Sequence, residues 1–448
     1  MQKFEKNLTQ GNVMRQLFVF SLPFLASNFL QAMYNAADTL IVSWFNEAST
    51  VSGVANGGQI TLLVTNFAIG FTVGGTVLIG QYFGAQKREE LSKTIGTLFS
   101  ILFILAIILS ISVITFSGPI LRLIRIPDEA FVEARRYLII CMSGTVFIFG
   151  YNAVAAVLRG MGDSKNPLFF VLISGVTNVI LDIIFVGPCR LGAMGAAIAT
   201  VMAQALSLML SIIYLNKTGF VFEFKLKNFK VDLSKLKLLL KVGLPSSIQS
   251  LVVGFSFLLM MMLVNGFGVE ASAAMGIVGK FNGFAILPAL AMSSSVSSMV
   301  AQNLGAGKID RAKKTMRSGI ILSLPIGIFF AALSFFAPEA LMSIFTTHTL
   351  VIARGVEYIR YFCLDYILVS IAFCITGLLM GAGMTKFTMI NSMVNSLLLR
   401  IPLAYLFGIT LHMGLTGIGL AAPVATVGMT IIAFTYYKTE RWARQKLV

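Results

Sequence analysis

The chain alternates between long apolar runs and short polar breaks. Twelve runs of roughly 20 residues or more lie near residues 17–45, 53–80, 94–117, 134–157, 167–188, 193–214, 238–264, 270–298, 316–337, 352–378, 387–408 and 414–437, and each is long enough to cross ~30 Å of hydrocarbon. Backbone groups in lipid find no water, so each run is predicted to be a helix that pairs its own N–H and C=O groups. The breaks are short, which makes consecutive helices antiparallel neighbours.

The pattern is written twice. "GQYFGAQKREE" near residue 81 returns as "AQNLGAGKIDRA" near residue 302. "LRGMGDSKNP" (Leu158 to Pro167) returns as "LMGAGMTKFT" (Leu379 to Thr388), and "FSLPF" around Pro23 returns as "VGLPS" around Pro245. The three pairs share an offset of about 221 residues, half the chain, which marks an internal duplication. Six spans per half is an even number, so both halves enter the membrane the same way up. The expected fold is therefore an all-α membrane protein of twelve transmembrane helices. They form two six-helix lobes related by a pseudo-two-fold axis along the membrane normal. The amino-terminal lobe is expected over 1–216, a basic cytoplasmic linker over 217–237 and the carboxy-terminal lobe over 238–448. The linker stretch "KLKNFKVDLSKLKLLLK" alternates basic and apolar residues, which predicts a short amphipathic piece lying on the cytoplasmic face.

Composition agrees. The chain is 57% hydrophobic and 12% charged, with a mean hydropathy of +0.88, whereas a soluble domain carries roughly 25% charge. No cleavable signal peptide is evident. The net charge of +16 invites a nucleic-acid reading, but its distribution argues otherwise. With the amino terminus inside, about 25 of the 34 Lys and Arg fall in cytoplasmic segments and about 7 outside, while Lys280 and Arg400 lie within spans. This positive-inside bias places both termini in the cytoplasm of a multi-pass protein of the plasma (inner) membrane, with the bilayer and no nucleic acid as partner. Cys141, Cys189, Cys363 and Cys374 form no metal-type or redox-type spacing, and His348 and His412 fall in predicted loops. No HExxH, GxSxG or GxxxxGK[ST] pattern is present, so neither an enzyme nor direct ATP drive is supported, and no cofactor is expected.

Ionisable residues inside a span cost at least a few kcal/mol and are functional candidates. Asp38 lies late in the first span and Asp182 in the fifth. Counting 1.5 Å per residue puts both, with Thr200 of the sixth span, at similar depth in the outer half of the membrane. Asn178 is one turn from Asp182 on the same helix face. Asn28, Gln31, Asn35 and Asp38 form a polar stripe expected to face the lobe interior. Asp38, Asp182, Asn178 and Thr200 thus gather carboxylates, an amide oxygen and a hydroxyl, which suit a hard cation. They suit a proton equally, because two adjacent buried carboxylates do not both ionise cheaply. The competing explanation is a structural cluster tying the first, fifth and sixth spans together. The duplication supplies a control: Asn178 and Asp182 map to Leu399 and Leu403, and Asp38 and Thr200 to Met260 and Ala422. A purely structural need would recur in both halves, so the asymmetry favours a coupling site. The second half holds other polar groups. Lys280 is expected buried in the eighth span, Arg400 well inside the eleventh and Asp365 in the outer part of the tenth. Either cation is a candidate partner for Asp365. Pro23 and Pro245, at matching places, are candidate helix-bend positions.

The motifs together resemble the multidrug and toxic compound extrusion (MATE) transporters, over essentially the whole chain and most closely the DinF-like prokaryotic branch. The carrying residues are "SLPF", "YNAADTLIVSWF", "GQYFGAQ", "LRGMGDSKNP", "NVILDIIFVGP" and "GAMGAAIAT" in the first half. In the second they are "GLPSS", "QNLGAGK", "GAGMTKFT" and "RIPLAYLFG". The resemblance implies two lobes in a V shape, monomeric, exporting organic cations by alternating access in exchange for H⁺ or Na⁺. It implies a cation or proton site at Asp38, Asp182, Asn178 and Thr200, with Gln31, Asn35, Lys280, Asp365 and Arg400 as accessory polar groups. Na⁺, if it is the ion, would sit at Asp38, Asp182 and Asn178, and no other metal is implied. Asp365 lies about one turn off the position where some relatives bind Na⁺ in the second lobe. The resemblance also implies that bending of the first helix couples ion binding to drug release. A lipid-linked saccharide flippase on a related scaffold is the alternative, for which Lys280 and Arg400 would line a pyrophosphate cavity.

Overall fold

The structure, a computed structural model, describes residues 5–444 and 447–448. Residues 1–4 and 445–446 of the two expected lobes lie outside the described residues. The described elements are helices: α1 Val13–Phe45, α2 Ala48–Gly84, α3 Arg88–Thr115, α4 Ser117–Leu123, α5 Asp128–Ser143, α6 Thr145–Gly160, α7 Lys165–Val186 and α8 Gly192–Lys217. After these come α9 Leu233–Asn265, α10 Val269–Ala285, α11 Leu287–Gly305, α12 Ile309–Phe336, α13 Pro338–Ser343, α14 Thr349–Phe362 and α15 Leu364–Gly381. The last are α16 Thr385–Met393, α17 Ile401–Tyr405, α18 Gly414–Lys438 and α19 Arg441–Arg444. Among the described residues, eleven helical stretches are long and apolar enough to cross a membrane, and the pair α5–α6, bent by 50°, makes twelve.

Every expected span is found, but several are interrupted. The fourth breaks at Gly144 and the tenth at Cys363, nearly matching places in the two halves. The eighth breaks at Ile286, where Pro288 removes a backbone donor and crowds the preceding turn. The eleventh widens into π turns over Val394–Arg400 and Leu406–Thr410, on either side of Pro402. Pro23 and Pro245, by contrast, lie inside helices that run unbroken past them.

Of the linker stretch expected as an amphipathic piece, residues 233–241 form the first turns of α9, and the part before them is not an α-helix. Residues 218–232 hold a single 3₁₀ turn, Leu226–Asn228, and are otherwise irregular. In "FEFK" (222–225) apolar and polar residues alternate with period two, which suits an extended strand of chain and not a helix. Phe222, Phe224 and Phe229 gather around Phe99 of α3, with ring centroids at 6.2, 5.4 and 6.1 Å. The Thr97 hydroxyl accepts the N–H of Asp232 at 3.1 Å. Asp232 in turn accepts the N–H groups of Ser234 and Lys235 and starts α9.

The chain divides into two compact units that exchange segments. One holds residues 5–7 and Ala26–Ser247, the other Leu8–Leu25 and Ile248–Val448. Both crossings, in α1 and in α9, fall just after the proline. In the second unit, Leu17, Phe20 and Phe24 on one face of α1 are buried with Met299, Val300 and Leu379.

Within each unit the helices meet through small residues, as expected where lipid gives no hydrophobic drive between helices. The Thr76 hydroxyl donates to the carbonyl of Ala156 at 3.2 Å, and Gly160 lies against the carbonyl of Thr76. The second unit repeats the seam at matching places, with Gly377 and Gly381 against the carbonyls of Ser293 and Ser297. A further seam in the first unit crosses α2 with α9: Gly70 lies on the Ser247 backbone, Gly74 on that of Gly243, and Ser247 donates to the Phe67 carbonyl at 2.7 Å. Gly162 and Gly383, again matched, take φ of 88° and 79° at turns that other residues adopt with strain. A Cβ at Gly74 would stand 2.6 Å from the nitrogen of Gly243, and backbone cannot swing aside. Gly74→Leu is expected to lower stability by about 1–3 kcal/mol, read as a fall in the detergent melting temperature. An unchanged melting temperature would show that the two backbones are not in contact.

Candidate functional site

The first unit brings four predicted residues together. Asp38 comes from α1, Asn178 and Asp182 from α7, and Thr200 from α8. Asn178 is 3% exposed and Asp182 fully buried, although α7 is otherwise apolar around them. The helix is positioned at Gly175, where the Tyr34 ring lies so close that a Cβ would meet it at 3.2 Å. The Asn178 amide reaches the Thr200 hydroxyl at 3.5 Å, a long hydrogen bond that links α7 and α8. The carboxyl groups of Asp38 and Asp182 face one another.

What these carboxylates lack matters most. Oδ1 of Asp38 and both oxygens of Asp182 are buried, and no donor among the described residues reaches them. No Lys or Arg among the described residues pairs with either. Two facing carboxylates in a low-dielectric setting repel each other and have lost their hydration. The arrangement calls for a proton or a cation from outside the chain. No cluster of three His, Cys, Asp or Glu side chains exists among the described residues, so a site for a multivalent transition metal is not formed.

The polar stripe on α1 is less enclosed than expected. Asn35 is exposed, and Asn28, Gln31 and Asp38 are half-buried. The Gln31 amide donates to the Tyr34 hydroxyl at 3.2 Å. Sequence reasoning missed Tyr137 of α5, which is 6% exposed and lies beside Asp38, Cys141 and Thr200. Its ring fits the surface of Gly57, where a Cβ would come within 3.0 Å. A signal was present: Tyr137 recurs as Tyr358 in the second half, a scaffold position that the first half has also furnished with polar neighbours.

The second unit places its ionisable groups differently from expectation. Lys280 is exposed and not buried, because it falls on the open face of α10, and it forms no ion pair among the described residues. Asp365 is buried at the start of α15, beside Tyr358 and in the field of Arg400, yet Arg400 makes no ion pair with it. The Arg400 guanidinium lies 5.8 Å from the ring centre of Phe362, and its Nε is buried without an acceptor. Arg400 closes the π turn of the eleventh span, whose wider spiral turns the side chain toward Phe362. Asn282 accepts a hydrogen bond from Tyr366.

A duplicated set of membrane-length helices, with facing carboxylates in the first half that have no donor among the described residues on three oxygens, fits a membrane transporter. The MatE family profile matches residues 23–184 and again 245–406, each match beginning at a repeated proline. The chain belongs to the MatE family, and it is a transporter and not an enzyme. It is 29% identical to YoeA of Bacillus subtilis (strain 168), a probable multidrug resistance protein, with 98% of this chain and 96% of the relative covered. It is 28% identical to YpnP of the same organism, also a probable multidrug resistance protein, with 98% of each covered. A solved MATE structure in the bent conformation superimposes with a TM-score of 0.91 at 20% identity, covering 99% of this chain and all of the other.

Two facing carboxylates oppose folding when both are ionised, so Asp182→Asn is expected to raise stability by about 1–3 kcal/mol. The check is the melting temperature in Na⁺-free detergent at alkaline pH. A fall on substitution would show that Asp182 is a structural partner.

Proposed function

We propose that the chain is a secondary antiporter that exports cationic or amphiphilic organic compounds in exchange for H⁺ or Na⁺. The observation that carries this reading is the facing Asp38–Asp182 pair, three of whose oxygens are buried with no donor or cation among the described residues. Asn178 and Thr200 add an amide oxygen and a hydroxyl at the same place, and Tyr137 adds a second hydroxyl. The printed names of the relatives, probable multidrug resistance proteins, support the substrate class.

In this reading the carboxylates take up the ion from outside while the transporter is open outward. Neutralisation removes their repulsion and lets α1 bend near Pro23. The related MATE known in a bent conformation supports bending as part of the cycle. The drug leaves outward, the transporter reopens inward, and loss of the ion to the cytoplasm restores two acids for the next cationic substrate. Both termini lie in the cytoplasm, the membrane is the plasma membrane, and the working unit is a monomer. Lys280, Asp365 and Arg400 take no part in the coupling step. The flippase alternative gains no support from Lys280, which stands alone, or from Arg400, which lies against Phe362.

The test uses purified protein in oriented proteoliposomes. Ethidium efflux is measured under a Na⁺ gradient and a pH gradient applied separately. Efflux is expected under one of the two, and Asp38→Asn is expected to lower it by at least about a hundredfold while leaving the protein folded. Full efflux by Asp38→Asn would overturn the coupling site. No efflux by the wild type under either gradient would overturn the antiport.

A further inference from the structure

Gly96 near the start of α3 is covered by chain, whereas its match on α12, Arg317, is exposed. On α3, the carbonyl of Asn228 lies over Gly96, the N–H of Asp232 meets Thr97, and three Phe of residues 218–232 cover Phe99. The matching residues of α12 are Arg317, Ser318 and Ile320. Arg317 stands where the first half has glycine, and no chain can lie across it. The segment before α1, which would be the counterpart of the linker, is held aside. Arg311 takes the carbonyls of Gly11, Gln10 and Leu8 at 2.7, 2.9 and 3.2 Å.

The result is a groove of about 690 Å³ between the start of α1 and the first turns of α12. Lys313, Lys314, Arg317 and Asp310 line it, and Met14 and Ile321 are its apolar lining. Lys313 is already paired with Glu440 and lies in the field of Asp310. Lys314 and Arg317 are exposed and form no ion pair among the described residues. Asn12 uses its Oδ1 on the N–H of Arg15, which leaves its NH₂ group as a donor, and Ser318 adds a hydroxyl. Ile321, 58% exposed, follows Arg317 by one helical turn, and Met14 is 38% exposed. Two cations without an ion pair among the described residues thus line one groove with exposed apolar side chains, Arg317 one turn from Ile321, at the end of a membrane-length helix.

We propose that this groove binds the phosphate headgroup of an anionic phospholipid from the leaflet that borders the starts of α1 and α12. Lys314 and Arg317 hold the phosphate, Asn12 and Ser318 meet headgroup oxygens, and the acyl chains follow Met14 and Ile321 into the bilayer. The apolar lining selects a lipid over free phosphate, which would leave Ile321 and Met14 uncovered. A zwitterionic lipid carries its own cation and is repelled by the same side chains. The site has no counterpart in the first half, because the linker occupies it.

The test compares wild type with the double variant Lys314→Gln/Arg317→Gln, and with Lys93→Gln as the control for charge loss. Lys93 is the match of Lys314 in the first half, paired with Glu89 and Glu90. Each protein is extracted from vesicles of phosphatidylcholine with phosphatidylglycerol, and retained lipid is counted by native mass spectrometry during delipidation. Wild type and Lys93→Gln are expected to keep one phosphatidylglycerol that the double variant loses, with retention about thirtyfold weaker. Inorganic phosphate is not expected to displace it. Equal retention by all three proteins, or displacement by inorganic phosphate alone, would overturn the proposal. Circular dichroism melting of the double variant, whose altered side chains are exposed, separates loss of the lipid from loss of the fold.

Discussion

Close approach of helix backbones is the constraint on which the rest of this structure depends. Lipid tails are as apolar as leucine, so burying leucine against leucine gains little inside the bilayer. What holds helices together is dense contact and the hydrogen bonds that contact allows. The duplicated seam shows this: small residues at 76, 156 and 160 reappear as small residues at 297, 377 and 381, and in each unit a carbonyl sits where a side chain would otherwise stand. The third seam, Gly70 and Gly74 against Gly243 and Ser247, ties the start of α9 into the first unit. These contacts are specific in a way that apolar bulk is not, because one added methyl meets backbone.

On that rigid frame the two halves have been furnished unequally. Matching positions carry Asp38 and Met260, Asp182 and Leu403, Thr200 and Ala422. The first unit therefore hosts buried acceptors without donors, and the second an arginine over a phenylalanine beside a buried aspartate. The two situations differ in kind. Asp365 has a fixed guanidinium in its neighbourhood, so its charge is partly balanced by the chain itself. Asp38 and Asp182 have each other, which worsens the electrostatics, and only a mobile charge relieves it. Under the proposed function, the unbalanced unit is the one that takes up and releases the ion.

Much of this was legible in the sequence, because the membrane imposes its own rules. Length and hydropathy located every span, and the offset between halves located the turns at Gly162 and Gly383. Depth counting brought Asp38, Asp182, Asn178 and Thr200 together, since 1.5 Å per residue holds along any unbroken helix. It failed where helices break. The interruptions at Gly144, Ile286 and Cys363 and the π turns around Pro402 were not read from the sequence, and Arg400, a candidate ion-pair partner of Asp365, lies 5.8 Å from the ring centre of Phe362 without forming that pair. Lys280 was misplaced for another reason: a lone charge in an apolar run says that the position is special, not which way it faces. Tyr137 was overlooked because its recurrence as Tyr358 marks a scaffold position and does not show which neighbours it has. The linker was misread because basic residues drew attention away from the alternating phenylalanines that fix its path.

The exchange of segments at the prolines bears on how a local ionic event reaches the whole molecule. Helix α1 is continuous, yet its residues up to Leu25 belong to one compact unit and those from Ala26 to the other. Asp38 stands on the far side of that crossing from Leu17, Phe20 and Phe24, which are buried in the second unit. A helix keeps its hydrogen-bond ladder stiff everywhere except where a donor is missing, and Pro23 removes one within a turn of the crossing. Under the proposed mechanism, a change of charge at Asp38 alters the tilt of the stretch from Ala26 onward against α7. The anchored stretch before Pro23 does not follow, because its apolar face is locked in another core. The strain between the two stretches collects at the one point where the ladder is already open. Neither half of α1 would need to unfold for the signal to pass, and no chain of side chains between the units is required.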